Sequence, residues 1–277
     1  MNKPDHTAAA EKRFSDSDAA LKWNEMYASE TERLDEANFR NRRDTTVDYV
    51  MKVLPPGGKV LDIGCGAAPV VSELRRRGVE CVGVEYAGDM IKHARNRLRS
   101  MGLDDDKLYR ADCRAVPFED ASFDVIVCLG VISYVEDFER AIGEIHRLLK
   151  PGGHALVSFR NLHSLAIFDP IKAIKKAVKM LIPGSRKTQY TIGRYMDHRE
   201  VTKAFADYDF EYRDFFGIGF GPIKFNGRRM FSERSSIRIS DAIASILAKL
   251  RWRAAVRWAS DVSLWVYSTK PQTGKGS

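Results

Sequence analysis

The chain has 277 residues, 44% of them hydrophobic, and a formal net charge of +8. That length supports one full core with an elaboration and excludes two large independent domains. No uninterrupted apolar stretch approaches the roughly 20 residues of a membrane-spanning helix, and the N-terminal MNKPDHTAAAEKRFSDSD lacks the apolar segment of a secretory signal, so a cytoplasmic protein is expected.

Residues 1–17 are polar and are expected to form a disordered tail. DAALKWNEMYASETERLDEANFRNRRDTTVDYVMKVL then reads as helices closed by Pro55-Pro56-Gly57-Gly58. After that break the period changes. KVLDIG is a short buried strand, PVVSELRRRG a helix ended by Gly78, VECVGVEY a strand, and AGDMIKHARNRLRSMG a helix ended by Gly102. KLYRADC is a weaker strand, FDVIVCLGV a strong one, DFERAIGEIHRLLKPGG a helix with its stop, and HALVSF a strand. This alternation predicts an α/β fold: a doubly wound, mostly parallel sheet with helices on both faces. Beyond Arg160 the alternation stops. A basic helical segment intervenes before DFEYRDFFGIG and, much later, VSLWVYSTK resume strand patterning. The expected organisation is therefore a core over 18–160, an acceptor-binding or lid insertion with a sixth strand over 161–260, and a last strand and tail over 261–277.

Charge follows the same division. Residues 1–159 carry 23 Lys and Arg against 27 Asp and Glu, whereas residues 160–277 carry 22 against 10. A basic half suits an anionic substrate, an anionic membrane surface or nucleic acid, and it is equally compatible with a solvated basic surface. The cysteines Cys65, Cys81, Cys113 and Cys128 lie 16, 32 and 15 residues apart, in or beside predicted strands and without a CxxC pair. Reduced, buried thiols are expected, and no metal site.

The segment KVLDIGCGAAPVVSELRRRG carries the functional signal. In an open parallel sheet, ligands bind beyond the carboxyl ends of the strands, and the first strand-turn-helix supplies the floor. Gly64 and Gly66 let a ligand lie against bare backbone. The dinucleotide pattern G-x-G-x-x-G finds Pro69 at its third glycine, which weakens a nicotinamide reading. Asp62, an ionisable group inside an apolar strand, needs a compensating cation or N–H donors, and a pyrophosphate would be repelled there.

This combination resembles the class I S-adenosylmethionine-dependent methyltransferases, whose first motif is an acidic residue followed by x-G-x-G. Glu85 ends the second strand in GVEY, Asp112 and Cys113 end the third in RADC, and VPFEDASFDVIVCLGVISYVED and LLKPGGHALVSF match the family's fourth- and fifth-strand regions. The resemblance covers residues 60–159, with weaker matches at 195–210 and in VSLWVYSTKP.

It implies S-adenosylmethionine as cofactor and a role for each matching residue. Glu85 accepts hydrogen bonds from the ribose hydroxyls with Tyr86 beside the adenine, and Asp112 and the backbone N–H of Cys113 meet the adenine edge. Gly64, Cys65 and Gly66 face the methionine portion, Asp62 anchors that end, Leu129 and Gly130 border the sulfonium, and Met90 covers the adenine. Arg43 is placed for the cofactor carboxylate, in competition with Arg40 and Arg42. Tyr27 is a candidate lid residue.

Methyl transfer chiefly needs alignment, and an oxygen acceptor also gains from a base. His163, in the FRNLHSL loop after the fifth strand, is the expected catalytic base, with His198, Tyr190 and Tyr195 behind it. The acceptor is expected to be a small biosynthetic molecule methylated at oxygen or nitrogen. The [DN]-P-P-[YF] signature of amino-directed nucleic-acid enzymes is absent, so no nucleic-acid partner is expected. Two basic amphipathic helices, over 170–182 and 241–258, raise the alternative of a peripheral membrane enzyme acting on a lipid or lipid-linked glycan. The plainer reading, that both helices pack on the domain and roof the pocket, is preferred. A third alternative is a domain that binds the cofactor or a partner without turnover.

Overall fold

A computed structural model describes residues 33–164, 193–221, 224–225, 228–249 and 253–271. The predicted tail, Tyr27, Tyr190 and the 170–182 helix lie outside the described residues.

Helix α1 (Leu34–Val53) leads into β1 (Lys59–Ile63), α2 (Pro69–Arg76), β2 (Glu80–Glu85), α3 (Gly88–Ser100), β3 (Leu108–Arg110) and β4 (Phe123–Leu129). A 3₁₀ turn over Ile132–Tyr134 precedes α4 (Phe138–Leu148) and β5 (Leu149–Arg160). Then come α5 (His198–Ala206), β6 (Glu211–Ile218), a two-residue-stranded hairpin β7 (Lys224–Phe225) and β8 (Arg228–Arg229), α6 (Glu233–Lys249), α7 (Arg253–Ala259) and β9 (Val262–Ser268). The main sheet has seven strands in the order β3-β2-β1-β4-β5-β9-β6. The strands β1 to β5 pair in parallel and β9 lies antiparallel between β5 and β6. This is the doubly wound, mostly parallel fold that the alternation predicts.

The central strands are apolar almost throughout because both faces of a parallel sheet are covered. Successive β1 side chains serve different cores: Leu61 and Ile63 join the layer under α4 and α5, while Val60 joins Val47 and Val50 of α1 and Leu74 of α2. Each such fully buried aliphatic side chain contributes about 1.5–3 kcal/mol. Asp62 takes its place in this alternation on the α1 side, so the strand period itself carries its carboxyl into the interior, 2% exposed.

Two boundaries differ from the sequence expectation. The fourth core helix ends at Leu148, and β5 already begins at Leu149, with Pro151-Gly152-Gly153 absorbed inside the strand as a register shift between the Phe123 and Val125 pairs. An irregular segment lacks ladder partners, so its proline is tolerated there. Cys65, Cys81 and Cys128 are buried free thiols and Cys113 is a partly buried one.

Candidate cofactor and acceptor site

The switch in strand order between β1 and β4 opens a cleft at the carboxyl ends of the parallel strands. It encloses about 860 Å³, part of it open to solvent. Nine of the residues singled out in the sequence line it: Gly64, Gly66, Glu85, Tyr86, Met90, Asp112, Cys113, Leu129 and Gly130. Val131, Tyr134 and Val135, from the turn after β4, complete the wall.

The floor is the β1–α2 turn. Gly64 has φ +71° and a Cβ there would sit 2.2 Å from Val131 Cγ2, so this position excludes every other residue twice over. At Gly66 (φ +55°) a Cβ would point at Met90 Cε, 3.3 Å away, which places the methionine over the turn. Helix α2 then starts with Pro69 at its first position, where the missing N–H costs nothing.

Glu85 ties the two glycine-side loops together. Its Oε2 accepts from Gly66 N and its Oε1 from Ala87 N, both at 2.9 Å. Burial pushes its carboxyl up, and the backbone N–H donors of Ala87, Gly66 and Tyr86 oppose that shift. Asp62 has less compensation. Desolvation, reinforced by the nearby Glu85 charge and only partly offset by Arg42, raises its carboxyl to about 8, which favours the protonated form at neutral pH. Asp112 lies at the other end of the cleft and is held below the usual carboxylate range by Arg114, which donates to Oδ1 from N at 2.9 Å and to Oδ2 from Nη2 at 2.6 Å. Burial pushes the Cys113 thiol up to about 12, which keeps it an un-ionised wall residue.

Four expectations change. Arg43 directs its Nε to Asp44 Oδ1, 2.8 Å away, and does not line the cleft. Arg42, one residue and thus about 100° around the helix earlier, is the arginine that faces inward: it is 7% exposed, and its Nη1 lies 3.1 Å from where a Cβ of Gly130 would be. The Cys65 side chain turns into the core, where its Sγ abuts Gly83, and its backbone N–H is spent on Val84 O at 3.0 Å. His163 is absent from the cleft lining. Its Nε2 lies 3.2 Å from Asp197 Oδ2, a partner 34 positions away that the parallel bridge between Asn161 and Met196 brings alongside. Asp62 sits beneath the lining instead of in it.

Sequence reasoning missed Arg114 and Asp197 as partners, and it missed Tyr134. The ring of Tyr134 meets the backbone at Gly193, where a Cβ would approach within 2.5 Å, so the segment after the undescribed stretch closes on the cleft wall. The only sequence signal was an aromatic in VISYVED, a segment quoted for its strand.

A glycine turn, an acidic residue ending β2 and another just beyond β3, around one cleft, define a Rossmann-like nucleoside site. The buried Asp62, only partly offset by Arg42, suits a ligand with a cationic tail and disfavours a pyrophosphate. Residues 61–157 match the family model described as a methyltransferase domain. The chain is 36% identical over 98 residues to the sterol 4-C-methyltransferase strm-1 of Caenorhabditis elegans, covering 35% of this chain and 29% of that protein. It is 30% identical over 142 residues to a ubiquinone biosynthesis O-methyltransferase of Xylella fastidiosa (strain 9a5c), covering 51% and 58%. The chain thus spans less than two thirds of the length of either relative. Among solved structures, magnesium protoporphyrin IX methyltransferase from Synechocystis PCC 6803 with bound SAH superposes with a TM-score of 0.63 at 13% identity, over 95% of this chain and 99% of that one, a likeness of fold. Residues 61–157 thus carry the likeness to a methyltransferase domain, and the fold around them is the one seen in that solved methyltransferase.

Proposed function

We propose that the protein transfers a methyl group from S-adenosylmethionine to an oxygen or nitrogen of a small, largely apolar biosynthetic acceptor. One observation carries this reading: Glu85, Asp112 and the Gly64–Gly66 turn, which come from three separate motifs, face a single cleft. Bound there, the cofactor supplies a methyl group on a sulfonium, which is already activated for in-line displacement.

The chain's residues then bind and orient. Glu85 keeps lone pairs for both ribose hydroxyls while its backbone donors hold it still. Tyr86 and Met90 enclose the adenine, Asp112 accepts from its amino group while sharing its charge with Arg114, and the Cys113 N–H serves the ring nitrogen. Gly64, Gly66, Leu129 and Gly130 border the methionine end. Arg42 takes the cofactor carboxylate in place of Arg43, and Asp62 ionises as the cationic end arrives. Tyr134 lines the cleft beside Val131 and Val135 while His163 does not, so we assign the Tyr134 ring, not the His163 imidazole, to the acceptor side. The sterol and ubiquinone named for the two relatives are apolar molecules, which supports an apolar acceptor here.

Calorimetric titration tests the reading. Micromolar binding of S-adenosylmethionine and none of NAD is expected, and Glu85→Ala should weaken it at least tenfold, about 1.4 kcal/mol. Binding of neither ligand overturns the proposal. Tight binding with no methyl transfer to any quinone-, phenol- or lipid-type acceptor favours a silent cofactor-binding domain.

A second reading, peripheral contact with anionic lipid, rests on α6. Its exposed side carries Arg234, Arg238 and Lys249 beside Ile246, which is 55% exposed, and Met230 just before it is 57% exposed. Basic residues around exposed apolar ones suit a charged bilayer surface. No described helix is long and apolar enough to cross a membrane. Co-sedimentation with phosphatidylglycerol vesicles that is lost in high salt supports this contact, and absence of co-sedimentation at low salt removes it.

A further inference from the structure

Apart from the cleft, the described residues bring together one group of metal-ligating side chains: His163, Asp197 and His198, whose ligand atoms all lie within 4.8 Å of one another. We propose that these three residues form a binding site for a first-row divalent transition metal ion, with zinc the ion that two imidazoles and one carboxylate favour.

The spacing is close to what such an ion needs. Zinc ligands at about 2.0–2.2 Å in tetrahedral array stand roughly 3.4 Å from one another. Here His163 Nε2 is 3.2 Å from Asp197 Oδ2, and His198 Nδ1 is 3.6 Å from Asp197 Oδ1. The two distances run to different oxygens of one carboxylate, and with all three ligand atoms within 4.8 Å of one another a small approach of the carboxylate and the rings brings them around one ion.

Three separate devices fix the three ligands, as a preorganised site requires. His163 stands on the turn after β5, pinned by Asn161. That buried side chain accepts from His163 N at 3.1 Å and donates to Arg257 O at 3.0 Å and to Ser260 O at 2.8 Å. Asp197 is the N-cap of α5, its Oδ1 accepting from Arg199 N at 2.8 Å, so its second oxygen has a set direction. His198, the first residue of α5, lies nearly parallel to the Trp265 ring at 11° and 5.9 Å. A helix cap alone would explain Asp197. It does not explain why His163, 34 positions away on the turn after β5, meets the same carboxylate beside His198.

Arg257, with its guanidinium 4.8 Å over the Trp265 ring, and Arg199 place positive charge near His198. The Asp197 charge therefore decides whether a dication is held. The cluster uses no cleft-lining residue, so it can be tested independently of cofactor binding.

The experiment is titration of the chelator-treated full chain with Co²⁺, read by visible absorption, followed by competition with Zn²⁺. One equivalent of Co²⁺ with the absorption of nitrogen and oxygen ligation, displaced by Zn²⁺, is expected. His163→Ala, Asp197→Asn and His198→Phe should each weaken binding by on the order of tenfold or more. Asparagine retains the N-cap and phenylalanine retains the stack on Trp265, so folding, followed by circular dichroism, is preserved. His163, about a quarter exposed, gives an independent variant should either of the others fail to fold. No binding at millimolar Co²⁺, an intense thiolate charge-transfer band from the cysteines, or unchanged affinity in His163→Ala overturns the proposal.

Discussion

At the nucleoside end of the cleft the polar groups are held from within 20 residues of sequence: Asp112 by Arg114 and Glu85 by Ala87, each two residues on, and Glu85 also by Gly66 of the preceding strand-turn unit. At the carboxyl end of β5 the corresponding bonds span the chain. Asn161 reaches Arg257 and Ser260, Ser164 reaches Asp261, and His163 reaches Asp197. The first region is a set of motifs in which spacing and geometry coincide. The second exists only after β6, β9 and α5 have assembled, so its chemistry follows from topology. The two regions should therefore fail differently when disturbed.

Gly64→Ala should have the largest effect, because it damages the first region where backbone and packing are both committed. The substitution imposes a left-handed conformation costing about 1–2 kcal/mol and drives a methyl into Val131, where overpacking adds about 1–3 kcal/mol. Thermal unfolding should show that loss, and calorimetry should show no measurable cofactor binding. A variant with native stability would mean that the turn opens freely and that the comparison has been drawn too sharply.

Asp62→Asn should change the pH dependence of the same region. Burial holds the folded Asp62 carboxyl at about 8 against an ordinary value of 3.8, so this group's contribution to the stability of the apo protein is complete below the ordinary value and is lost as pH rises through about 8. Asparagine should flatten this slope, leaving the variant more stable than the parent at pH 8 and nearly equal to it at pH 4. Thermal melts across that range decide it, and parallel pH profiles would place the strain elsewhere.

Arg42→Ala should weaken cofactor binding by roughly tenfold, the loss of one charge-assisted contact, with Arg43→Ala within twofold of the parent. The reverse order would restore the sequence expectation. The structure turns Arg43 toward Asp44 for a definable reason. The position of the arginine relative to the glycine turn is legible in the chain, but a one-residue choice on a helix is a rotation of about 100°, and the phase of α1 is set by Val47 and Val50 packing, not by the Arg-rich run itself. The parallel sheet, the glycine turn, Glu85 and Asp112 were legible because a strand's apolar run and the residues at its end sit together in sequence. Cys65 keeps the buried thiol that the sequence suggests: between two glycines that face the cleft, its side chain points the other way. Asp197 could not be found from spacing, since only the bridge between Asn161 and Met196 makes it a neighbour of His163.

Ile246→Ser should have the smallest effect and still separates two readings of the basic half. The side chain is more than half exposed, and surface substitutions of this kind fall within about 0.5 kcal/mol. Stability and cofactor affinity should therefore match the parent. If α6 only covers the domain, nothing else changes. If its exposed side meets anionic lipid, removing Ile246 should reduce vesicle co-sedimentation severalfold while the salt dependence, set by Arg234, Arg238 and Lys249, remains. Lower stability together with unchanged vesicle binding would assign Ile246 to packing, and the positive charge of residues 160–277 would then be a solvated surface.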